Sequence, residues 1–459
     1  MTWDGDAVAR GTGAELLARG PAGPPARAVI DSSQAGPEDL FFGLPGSKVD
    51  GGQFALDAVR AGAWGVVAGP QWAREIVQMR ERGAHGFDAW VLGTPDPLEA
   101  LQCLARLRRR DLGCPVIGIT GSTGKTSVKD ICASLLPVDP VHASPENFNT
   151  EIGLPLSVLG APAGTAAMVL EMGMRGRGQI AELASIAEPD VGVITNVGPV
   201  HVELLGSVEG VAETKAELIG GLREGGTAVV PAAPGPLEPF LAEASGVLRF
   251  GEGGDVYASE HRSAEGGGTK ALVATPAGEQ EFNFPFPEAH NLSNALAAIA
   301  AGVALGMPLD EMARRAPGIV FSALRGELVH LRGDSILIND SYNANPVSMR
   351  AALDHLATLP AAGRRIAVLG DMRELGSDSA RHHREIGEHA RERGVALVIG
   401  VGEMARDYAP DEHVADAAAA TDALDRSLGE GDVVLVKGSR AVGLEVVAEA
   451  LGCDDGTAP

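Results

Sequence analysis

Gly118-Ile-Thr-Gly-Ser-Thr-Gly-Lys-Thr126 decides the fold, because it follows the apolar run Pro115-Val-Ile-Gly-Ile-Thr120 and leads into a helical stretch. A short, wholly apolar run of this kind reads as a strand buried in a parallel sheet. A glycine-rich turn between such a strand and a helix is the setting in which backbone amides face phosphate oxygens. Lys125 then neutralises terminal phosphates, the Thr126 hydroxyl holds magnesium, and Gly121 and Gly124 let the chain approach closely. The common phosphate-loop pattern is not met strictly, since Ile119 stands where its first glycine belongs; the alternative is an ordinary tight turn.

Outward from this loop, buried-strand candidates at 166–172, 191–197 and 227–231 alternate with helical stretches such as 208–222, as expected of a parallel sheet. Residues 248–287 are short, glycine-interrupted runs that predict a small antiparallel insertion before a helix starting near Asn291. Upstream, residues 28–69 read as a small α/β unit. Downstream, strand-like runs at 335–342, 364–372, 396–402 and 432–439 repeat the crossover logic of an open α/β sheet. The expected architecture is therefore α/β in three domains, 1–111, 112–317 and 318–459, in keeping with a length of 459 residues.

A net charge of -24 argues against a broad nucleic-acid surface. The one compact basic run, Arg106 with Arg108 to Arg110, reads as the cationic end of a helix. The four cysteines form no CxxC pair, as in a reducing compartment. The acidic N-terminus lacks a signal-peptide pattern and no apolar stretch approaches the ~18 residues of a membrane span. A soluble, cytoplasmic protein without membrane or nucleic-acid partners is expected.

The variant loop GxTGxxGKT, together with Asn147-Phe-Asn-Thr-Glu-Ile-Gly-Leu-Pro-Leu156, Leu170-Glu-Met-Gly-Met174, Thr195-Asn-Val-Gly-Pro-Val-His201, Glu203-Leu-Leu-Gly-Ser207 and Glu213-Thr-Lys-Ala-Glu217, resembles the Mur ligases, and among them the MurF branch. The resemblance implies ATP-dependent joining of D-alanyl-D-alanine to UDP-N-acetylmuramoyl-tripeptide through an acyl phosphate, by a monomer using two magnesium ions. It assigns Gly121 to Ser127, including Ser122 and Thr123, to ATP. The HNxxN motif at His290–Asn294 brings Asn291 and Asn294 to the adenine end, Arg325 to phosphate and Asp340 to ribose. Lys125, Glu171, His201 and Lys215 become catalytic, with Thr126, Glu171 and His201 as metal ligands and Lys215 open to carbamylation. Asn149, Thr150, Tyr342, Asn343 and Asn345 fall on the substrate side, and the segments 370–376 and 437–440 on the dipeptide side. Asp31 and Ser32 belong to the UDP-sugar domain.

Each assignment has a plainer reading from the residues alone. Glu171 and His201 end buried strands and can converge with Thr126 on cations, but a surface carboxylate and a hydrogen-bonded structural histidine have the same pattern. Lys215 fits a charged helical face, Asn291 a helix N-cap, and Asn343 and Asn345 turns. His382, His383 and His389 read as surface helix residues. Where the branch carries DSR and DGH, this chain has Asp31-Ser-Ser33 and Asp50-Gly-Gly52, so the arginine that would grip a diphosphate is missing. A related ligase acting on another acyl substrate, and a nucleotide-binding protein without turnover, are the alternatives.

Overall fold

The computed structural model describes residues 3–83, 88–145, 147–200, 202–264 and 268–452. The first unit is a five-stranded sheet in which Arg27–Val29, Asp39–Phe42, Gly65–Ala68 and Trp90–Gly93 run parallel and Glu15–Ala18 closes one edge antiparallel. Arg27–Val29 is shorter than the apolar run around it, because Asp31 accepts from the Ser33 amide and turns the chain into a 3-10 segment.

The second unit is a six-stranded parallel sheet with Val116–Thr120 near its middle, between Val191–Ile194 and Ala167–Glu171. The chain passes to opposite sides of Val116–Thr120 in reaching those neighbours, so this strand marks the point where crevices open at the carboxyl edge of the sheet. All five of its residues are buried, which is why they read as one apolar run. The expected antiparallel insertion is present as Tyr257–Ser263, Thr269–Thr275 and Gly278–Phe284, whose Phe282 and Phe284 pack with Phe286 against the helix Ala289–Ala304.

The third unit is a six-stranded sheet, parallel apart from the edge strand Glu327–His330, in the order 327–330, 336–339, 433–437, 365–370, 397–401, 412–414. Among the described residues no helix is long and apolar enough to cross a membrane.

The basic run near residue 108 is more than a cationic helix end. Helix Pro97–Leu112 lies on the central unit, and its cations enter the seam. Arg109, 2% exposed, donates from Nε to the Ala187 carbonyl, from Nη1 to that of Cys114, and from Nη2 to the Glu188 carbonyl and Asp190 Oδ2. Arg108 reaches the Ala161 carbonyl, Arg106 that of Ser185, and Arg110 the Glu188 carboxylate. Asp190 also receives the Val116 amide at 2.8 Å, so the same carboxylate anchors the start of the central strand.

The three histidines expected on the surface are largely buried. His383 accepts the Met372 amide through Nε2 and donates from Nδ1 to the Ser379 carbonyl, bracing the loop after Arg365–Gly370; His389 pairs with Asp354. Burial pushes the His383 pKa down, consistent with the neutral ring these two bonds require.

Arg109→Met should strip donors from four acceptors, two of them on buried residues, and destabilise the protein by about 1 to 3 kcal/mol, the usual cost of leaving buried polar groups unsatisfied. The check is a lowered urea-unfolding midpoint; an unchanged midpoint would contradict the account of the seam.

Candidate active site

A cleft of about 1230 Å³ is lined by the second and third units. Its floor is the turn at the carboxyl end of Val116–Thr120. Gly121 has φ 153°, and a Cβ there would stand 1.8 Å from Thr195 Oγ1; Gly124 has φ 78°, and a Cβ would meet Asn294 Oδ1 at 2.6 Å. Only glycine allows these contacts. The turn is held from the next strand: Thr195 Oγ1 donates to the Thr123 carbonyl, Asn196 Oδ1 accepts the Thr123 amide, and Ser122 Oγ accepts the Gly198 amide. Helix Lys125–Leu135 begins immediately after it and has no side-chain N-cap bond, so its first turn faces the cleft with its positive end.

Lys125 Nζ donates to the Gly121 carbonyl at 2.8 Å. Burial lowers its pKa, with Arg325 lowering it further and Glu171 opposing both. Thr126 Oγ1 donates to Glu171 Oε2 at 2.7 Å and accepts from Arg325 Nη2 at 2.8 Å. The other carboxylate oxygen of Glu171 accepts from Asn149 Nδ2 at 2.8 Å. Glu171 is 3% exposed, so it is no surface carboxylate. A buried hydroxyl and carboxylate in contact supply the oxygen donors that magnesium prefers. The Nε of Arg325 is buried without a hydrogen-bond partner, leaving a donor directed at no protein acceptor. Its guanidinium lies 4.1 Å from the centre of the Tyr342 ring.

Lys215 is 1% exposed, so it belongs to no solvated face. The glutamates on either side are engaged elsewhere, Glu213 with Arg177 and Glu217 with the amides of Gly178 and Ala181. Burial holds the Lys215 pKa well below the ordinary lysine range, and the Lys125 charge adds to this. His201, expected as a cation ligand, lies outside the described residues.

Across the cleft, Asp340 follows the strand Ile336–Asn339 and pairs with Lys437 at 2.7 Å; Lys437 also donates to the Asn343 carbonyl. The Lys437 ammonium, from a segment expected to face the dipeptide, is thus committed to shaping the Asp340–Asn343 turn. Asn345 lines the cleft and also caps Pro346–Thr358 through a capping box with Ser348. Thr150 also lines it while accepting the Gly153 amide. Asn291 is inside its helix, and the N-cap is Glu288.

Asp31 and Ser32 do not line this cleft. The Asp31 carboxylate is spent on Ser33 and Gln34, and Asp50 on Gly52 and the Trp72 indole. A Cβ on Gly52 would stand 2.2 Å from Trp72 Cδ1, so no histidine fits while that indole is in place. The sequence reading missed Ser144, Asn196, Glu288 and His355, and it held Arg373, which lines the cleft, only as part of the 370–376 segment; Thr195 and Asn196 carried a signal, since they directly follow a buried strand beside the loop.

Comparison with known proteins agrees with this architecture. The Mur ligase middle domain matches residues 119–302, and the Mur ligase glutamate ligase domain matches 324–440. The UDP-N-acetylmuramoyl-tripeptide--D-alanyl-D-alanine ligase of Bacillus subtilis is 35% identical over 437 residues, covering 92% of each chain. The solved structure of MurF from Acinetobacter baumannii superposes with a TM-score of 0.86 at 26% identity, covering 98% of this chain and 99% of that one. MurF from Thermotoga maritima, solved with ADP, gives 0.79 at 30% identity over 93% of this chain and 96% of its own. The chain belongs to the Mur ligase family, in its MurF branch.

Proposed function

We propose that this chain joins D-alanyl-D-alanine to UDP-N-acetylmuramoyl-tripeptide with ATP, releasing ADP and phosphate. The observation that carries the reading is the contact of Thr126, Glu171 and Arg325 beside the Lys125 turn, with relatives of the same architecture named for that reaction. The tripeptide carboxylate attacks the γ-phosphorus of ATP, the bond to ADP breaks, and an acyl phosphate forms. The dipeptide amine then attacks the acyl carbon, phosphate leaves, and the amine proton is lost. Lys125 and Arg325 offset the charge of the transferring group, the main demand of phosphoryl transfer. Thr126, Glu171 and His201 would hold magnesium, which would withdraw charge from the phosphate oxygens. Asn291 and Asn294 are proposed for the adenine end, Asp340 for the ribose, and Asn149, Thr150, Tyr342, Asn343 and Asn345 for the substrates.

Lys215 is proposed as a carbamate. Burial favours the neutral, nucleophilic form of this amine; its nitrogen attacks carbon dioxide and loses a proton, which leaves a carbamate anion near Lys125. One observation favours a different acyl substrate: the Ser33 hydroxyl is turned onto Asp31, so that turn offers no cation to a diphosphate.

With ATP, magnesium and both organic substrates, phosphate release should require both; release with neither, or with only unrelated acids, would reject the reaction. Lys125→Ala should lower kcat by about 10²- to 10³-fold, the scale of losing one preorganised charge-stabilising group, with an unchanged melting temperature. Carbon-13 dioxide should label wild-type protein with a carbamate resonance that is absent from Lys215→Arg; equal spectra would remove Lys215 from the site.

A further inference from the structure

A line of polar contacts runs from the phosphate-loop turn into the third unit, with hydrogen bonds from Asn294 to Asn291 and from Asn291 to Glu288 and an ion-pair contact between Glu288 and His355. Asn294 abuts the Cα of Gly124, and its Nδ2 donates to Asn291 Oδ1 at 3.2 Å. Asn291 Nδ2 donates to Glu288 Oε2 at 3.3 Å, and Glu288 Oε1 meets His355 Nε2 at 3.3 Å. Glu288 caps the helix that carries both asparagines, whereas His355 lies on Pro346–Thr358 of the third unit, a helix whose capping Asn345 also lines the cleft. The Glu288 and His355 side chains are 14% and 10% exposed, so the bridge is shielded from water.

The carboxylate sets the polarity of the line. A carboxylate oxygen accepts from an amide, so Asn291 turns its amide nitrogen to Glu288 and its oxygen to Asn294, and the other Glu288 oxygen faces the His355 ring. Without His355 the carboxylate that orients Asn291 loses its contact with the third unit, so Glu288 and the asparagine line behind it are held less firmly. Burial lowers the His355 pKa, with Glu288 and Asp340 opposing. A donor tautomer of the neutral ring suffices for the bridge.

We infer that Glu288 and His355 form an interdomain latch, a positioning pair that fixes the asparagine carboxamides toward the nucleotide and couples their orientation to the approach of the third unit. The inference rests on the nucleotide reading above and extends it to residues outside the HNxxN motif. Loss of the latch should weaken nucleotide binding and leave the dipeptide unaffected.

The test is calorimetric titration of the full-length protein with MgADP, alongside steady-state kinetics. His355→Ala should weaken MgADP and raise KM for ATP by about tenfold, the scale of one hydrogen bond to a charged acceptor, while KM for the dipeptide stays within twofold. His355→Gln, which keeps an N–H donor, should restore most of the affinity. In the Glu288→Gln/His355→Ala double variant the losses should not add, because both remove one bridge. MgADP affinity of His355→Ala within twofold of wild type, or additive losses, would overturn the latch. Wild-type protein that fails to bind MgADP would instead overturn the nucleotide reading itself.

Discussion

The active-site geometry depends on one buried contact, the Thr126 hydroxyl held between the Glu171 carboxylate and the Arg325 guanidinium. Each of the three comes from a different part of the chain: the helix after the glycine turn, the end of a neighbouring strand, and the connection into the third unit. Removing charged groups from water is costly unless they are paired, so these elements are held together by the pairing of their own charged and polar groups. The glycines serve that contact by letting Thr195 and Asn294 press against the turn from either side.

The chain is strongly acidic overall, yet a few of its cations are buried and act internally. Arg108 and Arg109 are spent on carbonyls and carboxylates in the seam beneath the central sheet, and Lys437 on the Asp340 turn. Lys129 donates to the Ser144 carbonyl, and Ser144 Oγ accepts the Glu171 amide, so another buried cation braces the strand end that presents the carboxylate. Net charge therefore says little about the cleft.

What the sequence discloses follows from periodicity and from local turns. The apolar run before Gly121 is buried on both faces, and within the glycine-interrupted stretch 248–287 residues 257–284 form a separate antiparallel sheet, whereas 248–250 end an edge strand of the central parallel sheet. What it conceals depends on tertiary partners. Lys215, flanked by Glu213 and Glu217, is indistinguishable from a solvated helical lysine until Arg177 and the Gly178 turn claim those two glutamates. The helix with His382, His383 and His389 reads as polar, yet Tyr408 and Asp354 cover two of the rings. The arginines after Leu104 announce charge without saying which carbonyls they meet, since those lie about eighty residues away.

The connection into the third unit is pinned at Ser322, whose amide and hydroxyl both reach Asp130, one turn along the helix that Lys125 begins. Leu324, with φ 63°, lies between that pin and Arg325, and Gly326, with φ 74°, directly follows it. A left-handed leucine costs about 1 kcal/mol or more, so the segment is wound rather than slack. Arg325 consequently sits on a short sprung swivel, and its aim is governed by two backbone torsions rather than by a long mobile arm.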